Sequence, residues 1–370
     1  MNHRERFVAI FQYQPYDRLP VYYFGTWRET KERWRQEGLD GVVTSASAGP
    51  NVPGMDPDWE AGLFGTHGLL AHGPIAPRKS EVVTEADEYR IVRSGFGGLF
   101  KKSKLGSTMD HMLEPDLKPT REDWARFRKY LDPDLPGRFP ADFDEKVRAF
   151  NDRQAVRAFP TGDLFAKPRA WMGVEAWSCL PYDDPALYEE IIETIANNYL
   201  ALHARLLTSA KFEFAYFHED CCFNTGPLIS PEIYRRFYHK HYLRMNEAYH
   251  KLGVPLTLMD SDGKVDALIP CWLESGFDIV FPIEVGTWKA NPVELRRRFG
   301  RALRMFGGVN KHVIPRGERA IRAELEPLKP LVEEGGFLPI PDHRIPPDCS
   351  LEQFRQYLRV FKDVFEIEMD

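Results

Sequence analysis

Cysteine is scarce in this chain: five residues in 370, an odd number without regular spacing. No Cys-x-x-Cys and no His-Glu-x-x-His occurs, so the sequence carries no ready-made thiol or zinc-helix motif. The adjacent Cys221 and Cys222 read as packing residues. Apolar runs are short. None approaches the roughly 20 residues of a membrane span. The charged opening MNHRERFVAI lacks the apolar segment of a secretory signal, and the expected setting is a reducing cytoplasm. Basic excess is missing too: the net charge is −6, which argues against general nucleic-acid binding. Arg296, Arg297 and Arg298 form one basic run, read as a solvated helix face. The only glycine-rich stretch, Gly95-Phe96-Gly97-Gly98, lacks the lysine and threonine of a phosphate loop. There is no low-complexity linker and no short exact repeat.

What the chain does have is a recurring pattern. Five apolar runs each end in polar residues: Phe212 to Asp220, Pro255 to Gly263, Phe277 to Val285, Leu303 to Lys311 and Gly335 to His343. Helix-like stretches separate them. This alternation predicts parallel βα units, and in a barrel the carboxyl ends of such strands share one mouth. Leu19 to Phe24 reads as a first strand, and Ala155 to Phe159 as a further short one. Asn2, Asp184, Ser230 and Asn291 read as helix caps. Residues 40–120 are rich in Gly and Pro and predict hairpin-like elaborations. We therefore expect a single domain over 1–370, a (β/α)8 TIM barrel, with 40–150 forming an elaborated region over the mouth.

The strand ends supply the candidate chemistry. In Asp260-Ser261-Asp262-Gly263, two carboxylates two residues apart can hold a metal or take a proton, while Gly263 permits a sharp turn. The alternative is structural, with Asp262 as a helix cap. His343, fixed before Pro346 and Pro347, is a candidate acid/base or metal ligand, or else a loop histidine tied to Asp342. In His218-Glu219-Asp220, alternation puts His218 and Asp220 on one face, and Glu219 on the other. Trp27 and Arg28, Arg169 and Trp171, and Glu284 are candidate substrate-binding residues, with tryptophan as core filling the competing reading.

At these residues the sequence resembles the uroporphyrinogen decarboxylase superfamily. The carrying features are Arg4-Glu5-Arg6-Phe7 with Asp17-Arg18-Leu19-Pro20-Val21, and the run from Thr225 to Glu232 (TGPLISPE). To these add Gly307 to Lys311 (GGVNK), Glu334-Gly335-Gly336, Pro341-Asp342-His343 and Pro346-Pro347. The likeness covers the first 25 residues and about 180 to 365, and it is thin from 40 to 150. It implies a barrel enzyme of one of two branches. The decarboxylases carry an arginine-rich segment after the first strand, where this chain reads Phe24 to Lys31 (FGTWRETK), with Arg28 alone as a carboxylate holder. The other branch moves methyl groups with corrinoid proteins or thiols, using zinc held by His-x-Cys-Gly and a late Cys. The matching positions here are Asp260, Asp262 and His343: same spacing, harder ligands. The resemblance thus implies a methyltransferase-like enzyme acting on a small molecule, with zinc or a corrinoid presented by a partner protein as cofactor, and a homodimer as a compatible assembly. Asp260, His343, His218 and Asp220 are its expected catalytic residues, and Asp260, Asp262 and His343 its expected metal ligands. Decarboxylation of a tetrapyrrole or other carboxylate, and a non-catalytic binding barrel, are the alternatives.

Overall fold

The computed structural model describes residues 1–39, 52–57, 68–104 and 110–368. The remaining parts of the 40–150 expectation lie outside the described residues. Four antiparallel strands form one sheet in chain order: β1 (Glu81–Glu85), β2 (Tyr89–Arg93), β3 (Leu99–Ser103) and β4 (His111–Glu114). The glycine-rich stretch at 95–98 is simply the β2–β3 turn, which fits its lack of phosphate-loop residues. This sheet docks through Phe96, whose ring meets Phe127 at 4.9 Å.

Among the described residues the central sheet has six parallel strands: β5 (Ala158–Pro160), β6 (Phe214–His218), β9 (Thr257–Asp260), β10 (Ile279–Ile283), β11 (Arg304–Val309) and β12 (Phe337–Pro341). Their order is β12-β11-β10-β9-β6-β5, and helices follow each of them. A small hairpin of β7 (Cys222–Phe223) and β8 (Gly226–Pro227) follows β6. The strands are buried on both faces, which accounts for their continuous apolar runs. Aromatic rings fill the concave side. Phe24 meets Phe281 at 4.8 Å, Phe281 meets Phe306 at 5.0 Å, and Phe7 bridges Phe306 and Phe214. One ring thus touches strands separated by β9 and β10, as a curled sheet requires.

The predicted caps form. Asn2 caps His3–Phe11 with a reciprocal box to Glu5, Asp184 caps the 23-residue helix Pro185–Leu207, and Ser230 caps Pro231–Phe237. Asn291 caps Pro292–Phe299, but Glu294 turns outward to Arg297 rather than back to the cap.

Two expectations change. Leu19 to Phe24 is buried but joins no ladder among the described residues, and the nearest pairing there is a single parallel bridge from Thr26 to Ile345. Pro20 has no N–H, while the backbone N–H of Val21 donates to the Asp56 carboxylate and its carbonyl accepts from Asp56. Arg296 is buried rather than solvated, donating to Tyr13, Glu334 and the carbonyls of Gly335 and Gly336. No helix among the described residues is long and apolar enough to cross a membrane.

Candidate functional site

The carboxyl ends of the central strands converge on one rim, and carboxylates stitch it together. Asp163, after β5, accepts from the backbone N–H of His218 at 3.2 Å. Asp220, after β6, accepts from that of Asp262 at 3.3 Å. Glu284, after β10, accepts from Gly263 at 2.6 Å and from the Thr287 hydroxyl. Asp342, after β12, accepts from Gly286 and Lys311. Each acid therefore fixes the end of another strand or the loop that follows it. Glu219 does the same on the far face: it takes three N–H donors, from Leu164, Phe165 and Ala166, and the Tyr242 hydroxyl. Its burial and the nearby Asp163 push its carboxyl up to about 7, against those hydrogen bonds.

Gly263 sets the central turn. Its φ is +91°, and a Cβ there would lie 2.8 Å from the Phe223 carbonyl oxygen, so only glycine fits. Beyond this turn the next helix begins at Ile269 with Leu268 at its cap position and no side-chain cap. Asp262 is therefore not a helix cap. Its carboxylate instead lies 3.2 Å from His343 Nε2. Glu284 completes a group of three: one ligand atom each from Asp262, Glu284 and His343 lie within 4.8 Å of one another.

Asp260 stands apart from this triad. It is 2% exposed, and its carboxylate accepts the Tyr216 hydroxyl. The three groups that lie together thus differ by one residue from the expected Asp260, Asp262 and His343. β9 ends at Asp260 and its side chain turns to β6, leaving the position beside Asp262 to Glu284. Burial raises Asp260 well above the usual carboxylate range; His218 opposes this, while Asp262 and Asp220 add to it. Glu284 is also raised, by burial first and then by Asp262. Asp262 goes the other way: burial opposes ionisation, but the bond and charge of His343 outweigh it.

His218 and Asp220 share a face as expected, with Nε2 3.6 Å from the carboxylate. His218 is the last residue of β6, and 49% of its side-chain surface reaches solvent. Burial alone would lower its pKa, but the charges of Asp220, Asp260, Asp163 and Asp262 push it up to about 9. Its ring stacks on Tyr216 at 6.3 Å. Asp220 holds a left-handed backbone conformation, φ 43°, uncommon for a residue with a side chain.

The substrate-binding candidates divide. Trp27 tilts over His343 at 5.7 Å, and Phe24 meets the same imidazole edge-on at 5.5 Å. Arg28 is exposed on the first turn of Arg28–Gln36. Arg169 is engaged by the carbonyl and carboxylate of Asp220. Trp171 is core: it is 6% exposed and packs on Phe127 at 5.0 Å, because its helix turns that face toward Arg121–Phe127. Sequence reasoning missed Tyr216 and Asp163. Tyr216 sits two residues before His218 and so shares its face, a usable signal; Asp163 lies past the Gly162 turn, beyond any periodicity.

The donor set suits a cation. Two carboxylates side by side repel unless a positive charge lies between them. One imidazole and two carboxylates are accepted ligands for zinc, and three protein ligands leave a coordination position open. The hydrogen bonds that orient Glu284 are the outer-shell support that such ligands ordinarily have.

No family model and no curated protein matches the chain. Among solved structures it is similar to a methyltransferase from Methanosarcina mazei, with a TM-score of 0.53 at 13% identity, covering 99% of this chain and 98% of that one. It also aligns with a B12-independent methionine synthase from Shewanella sp. W3-18-1, at TM-score 0.43, 12% identity and coverage of 95% and 97%. A putative vitamin B12-independent methionine synthase from Listeria monocytogenes gives 0.34, 15%, and 62% and 69%. The first of these likenesses agrees, at the level of fold, with the resemblance read from the sequence: this chain has the fold of the Methanosarcina mazei methyltransferase along nearly its whole length.

Proposed function

We propose that the chain is a methyltransferase of the (β/α)8 type, a single domain whose 40–150 region lies over the mouth. It would move a methyl group from a small methylated substrate to a corrinoid carried by a partner protein. The observation that carries this reading is the convergence of Asp262, Glu284 and His343 on one point at the carboxyl rim. The likeness in fold to a methyltransferase supports it.

In the proposed reaction the bond from the methyl carbon to the substrate heteroatom breaks. Its electron pair stays on the heteroatom and the methyl passes to the carrier. Asp262, Glu284 and His343 would hold a divalent ion, zinc being the best match, which supplies Lewis acidity to the leaving heteroatom. The chain's own groups do the rest. Glu284 is oriented by Gly263 and Thr287, and Trp27 and Phe24 wall the His343 side against water. His218 brings a proton to the same mouth. The carboxylates of Asp163, Asp220, Asp260, Asp262 and Glu284 gathered around this rim disfavour the alternative, decarboxylation of a substrate that itself carries many carboxylates.

The test is a methyl-transfer assay with zinc-loaded protein, a reduced corrinoid and a panel of methyl ethers, thioethers and amines, followed by the absorbance of methylated corrinoid. Turnover with one substrate class is expected, falling by more than about 10-fold in Glu284→Ala, since losing even a group that only supports a metal ligand costs about 10–100-fold. No methylated corrinoid with any class would overturn the proposal.

A further inference from the structure

Lys311, just past the end of β11, is a buried cation with 9% of its surface accessible. Burying a charge is costly unless a partner meets it. The fold follows this rule elsewhere. Arg6, Arg157 and Arg296 are buried as deeply, and they meet the carboxylates of Asp17, Glu213 and Glu334. Cations nearer β5 and β6 are engaged too, Lys167 by Asp163 and Arg169 by Asp220. The Lys311 ammonium is different. Among the described residues it makes no hydrogen bond and no ion pair, although the Lys311 backbone is firmly held.

Asp342 fixes its place. One carboxylate oxygen accepts the Lys311 backbone N–H at 3.1 Å, and the other accepts that of Gly286 at 2.5 Å. Asp342 directly precedes His343, and Gly286 closely follows Glu284. A single buried acid thus ties Lys311 to the segments that carry two members of the triad. These segments are in contact: a Cβ at Gly286 would lie 3.2 Å from Asn310 Oδ1 and from Asp342 Oδ2. The third member, Asp262, feels the ammonium charge, which favours its ionised form. A divalent ion on the triad would neutralise Asp262 and Glu284 and leave the ammonium uncompensated. Lysine is a compact charge with three donors, so it accepts a carboxylate, sulfonate or phosphate alike. The other carboxylates of the rim oppose any further negative charge, which limits the partner to one such group.

We propose that Lys311 is a specificity-determining residue, whose ammonium pairs with a single oxyanion group carried by the substrate. The proposal rests on the methyl-transfer reading only for calling that molecule the substrate; pairing of the ammonium with an anion stands by itself.

The probes are methoxyacetate and its neutral counterpart methoxyacetamide, titrated into the full-length protein by calorimetry and ligand-observed NMR, without and with added zinc. Methoxyacetate is expected to bind in the millimolar range that so small a ligand reaches. It should bind at least about tenfold more tightly than the amide, the share of one charge-assisted hydrogen bond. Lys311→Met keeps a long side chain without the charge, and it should bind the two probes alike. Its denaturant midpoint should equal or exceed that of the unmodified chain, because the charge removed is unpaired among the described residues. If that variant fails to fold, Lys311→Gln carries the same expectations. No turnover and no corrinoid enter these measurements, so failure of the methyl-transfer reading would leave the result standing. The proposal is overturned if the amide binds as tightly as methoxyacetate. It is also overturned if the preference survives the loss of Lys311, which would place the carboxylate on zinc, or if both variants are destabilised, which would make the ammonium a structural partner.

Discussion

His218 and Asp56 show how single side chains couple this fold to pH. The His218 imidazole is surrounded by Asp220, Asp260, Asp163 and Asp262, and their charges outweigh its burial to push it up to about 9. Its pKa in an unfolded chain is about 6.5. A folded value above the unfolded one means a contribution to stability that is complete below about pH 6.5 and is lost as pH rises toward 9. An NMR titration of the His218 ring should therefore show a midpoint near 9, and the stability difference between the unmodified chain and His218→Gln should shrink over that window; a midpoint near 6.5 would contradict this. Asp56 behaves oppositely. Burial opposes its ionisation, but Arg18, at 2.6 and 2.8 Å, and the Val21 N–H hold it below the usual range. Its contribution is present above about pH 4, the unfolded value, and is lost as pH falls through the lower folded one. Asp56→Asn should cost about 3 kcal/mol at pH 7, as breaking a buried pair does, and denaturant titrations should show that loss vanishing in acid.

At the scale of elements, the rim is held by acids that satisfy backbone N–H groups of neighbouring loops. Glu219 is the fullest case, with three such donors and a tyrosine. Glu219→Ala would orphan them together. We expect a loss of about 3 kcal/mol or more, with faster hydrogen exchange at 164–166; protection unchanged there would show that the helix start at Ala166 does not depend on this carboxylate. The alternation in His218-Glu219-Asp220 was legible because a strand's period is two, and the helix caps were legible because Asn, Asp and Ser before Pro or Glu have a local cause. The exclusion of Leu19 to Phe24 from the ladder was not, since it depends on Asp56, about 35 residues away in sequence. Nor was the burial of Arg296 or the packing of Trp171, because a helix shows which residues share a face but not which neighbour receives that face. The exchange of Asp260 for Glu284 in the triad has the same origin: both end strands, and only the curl of the sheet decides which one turns toward His343.

For the molecule as a whole, buried apolar side chains from Phe7 to Ile367 form one continuous cluster, so the strand ends are carried by a single packed body. The N-terminal helix is tied into it: Gly336 donates to the Ile10 carbonyl, and Phe7 bridges β6 and β11. A rim fixed in this way can hold two carboxylates and an imidazole together at little further ordering cost, and the whole functional account depends on what they hold. The most direct measurement is zinc content after extensive dialysis, by elemental analysis, on the unmodified chain and on Asp262→Ala, Glu284→Ala, His343→Ala and Asp260→Ala. One zinc per chain is expected, lost in the first three variants and retained in the fourth. No bound metal, or zinc retained in the three and lost only with Asp260, would contradict it.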